Sequence, residues 1–69
     1  MGKDEEILEA IRELARARGR EVKLALVYRD VMARGIYIRK PSIRSALKRL
    51  ESRGKIEVTG MDSVRLLDE

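Results

Sequence analysis

The segment from Ser42 to Leu67 constrains the fold of this 69-residue chain more than any other stretch. In its first half, aliphatic residues recur every three or four positions, which predicts a helix with one apolar face. These residues are Ile43, Ala46, Leu47 and Leu50. Gly54 then ends the helix, and two short runs of alternating apolar and polar residues flank a turn at Gly60–Ser63. This pattern predicts a hairpin that follows the helix directly.

Two more helices are predicted upstream. The first runs from about Asp4 to Arg18 and has a single apolar stripe. The stripe consists of Ile7, Leu8, Ile11, Leu14 and Ala15. The second runs from about Leu24 to Arg34 and ends at Gly35. Between them, Arg20 to Lys23 is long enough for one short strand.

The composition excludes several kinds of active site. The chain, residues 1–69, is one domain with no Cys and no His, which rules out thiolate sites and histidine bases. We therefore expect no enzyme activity, no catalytic residue, no cofactor and no metal. Charged residues make up 41% of the chain and Asn and Gln are missing, which is typical of thermophile proteins. The start of the chain is polar and no apolar run reaches membrane-spanning length, so we expect a cytoplasmic protein without a membrane partner.

The net charge of +4 is concentrated in the middle of the chain. Residues 20–54 contain ten Lys and Arg against three acidic residues, whereas the flanking segments are near neutral or acidic. Clustering of this kind is typical of a nucleic-acid-binding surface.

Much of this charge lies on the third helix, opposite its apolar face. Arg44 and Lys48 are one turn apart, as are Ser45 and Arg49. Like charges at that spacing repel each other slightly, and phosphates would relieve the repulsion. The alternative interpretation is a solvated basic face without a partner.

The amino end of the same helix is also basic. Arg39 and Lys40 precede Pro41, which is tolerated in a first helical turn, and Ser42 is a better chemical cap than Lys40. Arg39 and Lys40 are predicted to hold the phosphate backbone, since helix amino ends attract phosphate. The predicted nucleic-acid-binding residues are therefore Arg39, Lys40, Ser42, Arg44, Ser45, Lys48 and Arg49.

Three other side chains are predicted to contribute little to binding. Tyr28 and Tyr37 are expected to pack at the edge of the core. Asp62 lies at the predicted hairpin tip, where a minor-groove contact would require Arg or Lys. The hairpin is therefore expected to close the core.

The pattern Ala46-Leu47-x-x-Leu50-x-x-x-Gly54-x-Ile56-x-Val58 resembles the recognition helix and first wing strand of winged helix-turn-helix proteins. The longer run EVKLALVYRDVMARGI with KPSIRSALKRLESRGKIEV resembles the winged helices of archaeal replication initiators and minichromosome maintenance helicases, and of small archaeal transcription regulators. The resemblance implies an α+β fold of three helices and a β-hairpin wing, with a third strand as an option. It also implies duplex-DNA binding through the third helix in the major groove, at Arg44, Ser45, Lys48 and Arg49. No ATPase module accompanies it.

Two other functions stay open. A protein-interaction winged helix would use an exposed apolar strip that includes Ile36, Ile38, Met61 or Leu67. A ribosome- or RNA-associated role is suggested by the same spacing in a small-subunit ribosomal protein, although the basic tail of that family is missing here. The single apolar stripe of the first helix favours a monomer over a weak homodimer, and DNA binding would associate the protein with the nucleoid.

Overall fold

The computed structural model describes residues 2–60 and 62–67, with three helices and three strands. In chain order these are α1 (Lys3–Arg18), β1 (Glu21–Lys23), α2 (Leu24–Ala33), α3 (Lys40–Ser52), β2 (Ile56–Thr59) and β3 (Ser63–Leu66). The predicted α+β arrangement is confirmed, including the short strand after the first helix, and it is consistent with a winged helix. None of the helices in the described part of the chain has the length and apolar character needed to cross a lipid bilayer.

The three strands form one antiparallel sheet in the order β1-β3-β2, so the last strand lies in the centre. Val64 of β3 pairs with Val22 of β1, and both side chains are buried against the helices. Side chains alternate between the two faces of a sheet. The next residue along each strand therefore has its side chain on the face away from the core. On that face Arg65 lies between Glu21 and Glu57.

The core is built from aliphatic side chains contributed by all six elements. The largest fully buried ones are Ile7, Leu8, Ile11, Val22, Val27, Val31, Ile43, Leu50, Ile56 and Val64. Tyr28 and Tyr37 pack against this cluster and are only partly buried, as their spacing predicts. Burial of this kind is the main favourable contribution to folding, and it fixes the rotation of each helix about its axis.

A left-handed glycine ends α2 and turns the chain back onto the core. The Gly35 amide donates to the Met32 carbonyl (3.0 Å), and the Ile36 amide donates to the Val31 carbonyl (3.2 Å). This hydrogen-bond pattern requires a left-handed residue, and Gly35 has φ +73°. The motif returns the residue after the glycine to the last helical turn, where Ile36 is 6% exposed. The prediction that Ile36 belongs to an exposed strip is therefore wrong.

The amino end of α3 begins earlier than a cap at Ser42 would require. Arg39 is the capping residue, with extended backbone (φ −124°, ψ 135°), and its side chain makes no capping hydrogen bond. Lys40 and Pro41 are the first two helical residues, so the predicted cap at Ser42 or Lys40 is wrong. Proline is tolerated there because the first four amides of a helix have no intrahelical partner.

Candidate nucleic-acid interface

Helix α3 is held by one face and exposes the other. Four residues at helical spacing are at most 2% exposed and attach it to the core: Ile43, Ala46, Leu47 and Leu50. On the opposite side Arg44, Ser45 and Lys48 are exposed. The 13-residue helix is therefore presented in one fixed orientation, with three of the side chains that were predicted for binding, Arg44, Ser45 and Lys48, directed outward.

The outer face of α3 forms a shallow depression of about 290 Å³. It is lined by Lys40, Pro41, Arg44, Ser45 and Lys48. Four of the seven predicted binding residues thus lie together. Within residues 2–60 and 62–67, no carboxylate forms an ion pair with Arg44 or Lys48. Among the described residues, the positive charge of Arg44 and Lys48 in this depression is therefore not compensated by an ion pair.

A second depression of about 230 Å³ adjoins the first, between α2, α3 and β2. Arg44 and Lys48 line it as well, beside the apolar side chains of Leu24, Tyr28, Leu47 and Val58. Glu51 also lies here, and its carboxylate accepts a hydrogen bond from the Val58 amide (3.2 Å). Glu51 therefore attaches α3 to the first hairpin strand. It also reduces the positive charge on this side of the helix.

Arg39 and Ser42 lie on the other side of the amino end of α3. They line a depression of about 310 Å³ together with residues of the α2–α3 turn and with Lys3 of α1. The Lys3 ammonium is 4.8 Å from the centre of the Tyr37 ring, a distance at which cation and ring attract each other. Lys3 was not predicted, because its neighbours in the sequence are acidic and only the packing of α1 brings it beside α3.

Arg49 is separated from the other predicted residues by an ion pair with α1. Its Nε donates to Asp4 Oδ2 (2.8 Å) and its Nη2 donates to Asp4 Oδ1 (2.9 Å). These hydrogen bonds from Arg49 hold the pKa of the Asp4 carboxyl below its ordinary value of 3.8, against the opposing effect of burial. Directly after the end of α3, Arg53 Nη1 lies 3.6 Å from Glu5 Oε2. The side of α3 that faces α1 is thus neutralised within the protein.

The hairpin tip has the acidic character that the sequence predicts. The Asp62 carboxylate lies 3.8 Å from the Lys23 ammonium, and the Asp62 carbonyl accepts a hydrogen bond from the Leu24 amide (2.7 Å). Thr59 Oγ1 donates to Glu21 Oε2 (2.7 Å), which links the two edge strands across β3. The tip is therefore attached to the start of α2 by contacts within the protein.

The described residues contain no group of three or more acidic side chains positioned to hold a metal ion. Comparison with known proteins adds no assignment, since no family model, no curated protein and no solved structure matches the chain. The arrangement of charge on and around α3 is thus the basis for a functional proposal.

Proposed function

We propose that this protein binds duplex DNA and places the outer face of α3 in the major groove. The main support is the group Lys40, Arg44, Ser45 and Lys48, which shares one exposed face of a helix whose other face is buried. A helix about 10–12 Å wide matches a major groove roughly 12 Å wide. Arginine can bind a guanine edge through two hydrogen bonds, whereas lysine and serine contact phosphates readily.

The amino end of α3 supports a phosphate contact beside the groove. No side chain caps this end, and the first turn contains no acidic residue. Arg39 and Lys40 flank it, and Lys3 lies in the same depression as Arg39. Free amides and the helix dipole favour an anion at this position, and the nearby cations add to the attraction.

Duplex DNA explains this surface better than the two other functions do. The deep, narrow major groove of an RNA duplex does not admit a helix. The burial of Ile36 weakens the case for an exposed protein-binding strip. Met61, another member of the predicted strip, lies outside the described residues. Of the strip, Ile38 (79% exposed) and Leu67 (47% exposed) remain at the surface. The proposed setting is transcription regulation or DNA replication.

The test is a fluorescence-anisotropy titration of a labelled random duplex at two salt concentrations. We expect Arg44→Ala and Lys48→Ala each to weaken binding, and the log affinity–log salt slope to fall by about 0.9 for each phosphate that is no longer neutralised. Arg18→Ala is the matched control, because it removes the same charge from the far end of α1. Arg18 is roughly 20 Å along that helix from Asp4, the residue of α1 that pairs with Arg49 of α3. Circular dichroism melting checks that every variant is folded.

If the Arg44→Ala/Lys48→Ala double variant binds duplex DNA as the parent does, the proposal is wrong. A preference for structured RNA in competition would favour the ribosome-associated alternative. Binding that is equally weakened by Arg18→Ala would indicate attraction to net charge without a defined interface.

A further inference from the structure

Two sets of cations lie on different sides of α3. Arg44 and Lys48 face solvent and have no acidic partner among the described residues. Arg49, which was predicted to bind together with them, and Arg53, which was not, both contact acidic side chains in the first turn of α1. The two sets differ in partner, although Arg44, Lys48 and Arg49 share one helix and Arg53 directly follows it.

The Asp4 carboxylate occupies the part of Arg49 that would bind a phosphate. Two parallel N–H···O bonds join the guanidinium and the carboxylate, at 2.8 and 2.9 Å. Arginine binds carboxylate and phosphate with the same two-pronged geometry, so both anions compete for the same donors. The Asp4 side chain is only 15% exposed, whereas that of Arg49 is 50% exposed. The arginine is therefore accessible from outside while its carboxylate partner is held against the protein.

The position of Asp4 keeps it charged and in place. It lies in the first turn of α1 with Glu5 and Glu6, where the helix dipole stabilises negative charge. α1 is in turn fixed by the buried side chains of Ile7, Leu8 and Ile11. The carboxylate is thus a rigid part of the fold.

We propose that the acidic first turn of α1, through Asp4, is an intramolecular competitor of DNA phosphate that withholds Arg49 from the interface. This inference rests on the proposed DNA binding and concerns its regulation. The parent protein then binds DNA with fewer phosphate contacts than the sequence of α3 offers. Loss of the Asp4 charge releases Arg49 to a phosphate.

The experiment compares Asp4→Asn with Glu9→Gln in the duplex titration. Each change raises the net charge by one and lies on α1, but Glu9 pairs with Arg12 (3.0 Å) on the same helix and not with α3. Lowering the salt from 200 to 50 mM should increase the DNA affinity of both variants. We expect the increase to be about threefold larger for Asp4→Asn than for Glu9→Gln, because its plot of log affinity against log salt should be steeper by about 0.9. Adding Arg49→Ala to Asp4→Asn should abolish the gain.

A second comparison, between two arginine variants of the parent protein, does not require the Asp4→Asn variant to fold. In the parent background, Arg49→Ala should reduce affinity much less than Arg44→Ala, because Arg49 is already occupied. An equal loss for Arg49→Ala and Arg44→Ala overturns the inference, as does equal binding by Asp4→Asn and Glu9→Gln. Either result leaves the proposed function intact if the parent binds duplex DNA. Failure of the parent to bind would instead contradict the proposed function.

Discussion

At the scale of single residues, the exposed position of Arg49 could be predicted from the sequence, but its partner could not. Helical spacing correctly predicts that Arg49 lies outside the apolar stripe, and its side chain is half exposed, but the structure turns it toward α1. Its partner Asp4 is 45 positions away in the chain, and no local pattern connects the two. The same reason explains why Lys3 was missed. Contacts between α1 and α3 depend on how the helices pack, which spacing within one helix does not reveal.

The ion pair of Asp4 with Arg49 predicts a specific dependence of stability on pH. Because the Asp4 pKa lies below its ordinary value of 3.8, the folded state binds this proton more weakly than the unfolded state. The stabilisation is therefore fully present above pH 3.8 and is lost as the pH falls through the lowered pKa.

Urea unfolding of the parent and of Asp4→Asn between pH 7 and pH 2 tests this. The parent should have the higher free energy of unfolding at pH 7, and the two curves should converge at the acidic end. A difference that persists unchanged at pH 2 would mean that Asp4 stabilises the fold by a contact unrelated to its charge.

At the scale of the elements, most boundaries could be predicted from glycines and apolar spacing. The end of α3 shows why. The Gly54 amide donates to the Glu51 carbonyl (3.0 Å), and the Lys55 amide donates to the Leu50 carbonyl (3.1 Å), as in a Schellman motif. Such an ending depends on local sequence. The strand order β1-β3-β2 was not predictable in this way, since it depends on how distant segments share the core. The start of α3 at Lys40 was missed for a local reason, because a residue before proline usually avoids the helical conformation.

Replacement of Gly54 tests how much the left-handed ending of α3 contributes to stability. The φ of +76° at Gly54 costs an L-residue about 1 kcal/mol, and a methyl group placed there would have no heavy atom within 4 Å. Gly54→Ala should therefore lower the free energy of unfolding by about 1 kcal/mol and the melting temperature by roughly 4–8 °C.

Gly54→Asn is the matched variant, because asparagine tolerates the left-handed conformation better than alanine does. Thermal melts followed by circular dichroism should place it between the parent and Gly54→Ala. Equal melting temperatures for all three proteins would show that the left-handed ending of α3 contributes nothing to stability.

At the scale of the whole molecule, we expect a monomer, because the described residues expose little apolar surface. The stripe of α1 is used in the core, since Ile7, Leu8 and Ile11 are at most 1% exposed. Among the described residues, Ile38 and Leu67 are the large apolar side chains at the surface. Stable interfaces bury about 800 Å² on each partner, which two isolated side chains do not provide.

We therefore expect sedimentation equilibrium to give a single species of 7.9 kDa at micromolar concentrations. Titration of a short duplex should likewise fit one protein per site at low occupancy. A mass of twice this value at those concentrations would contradict the prediction.

The aliphatic core has an optical consequence. The chain has no Trp and two Tyr, so its ultraviolet emission comes from two known positions. Tyr28 lies beside Arg44 and Lys48, whereas Tyr37 lies beside Lys3 in the depression that Arg39 and Ser42 also line. The two fluorophores thus stand on opposite flanks of α3. Replacing either with phenylalanine leaves one intrinsic probe, so that events on each side of the helix can be followed separately and without a dye.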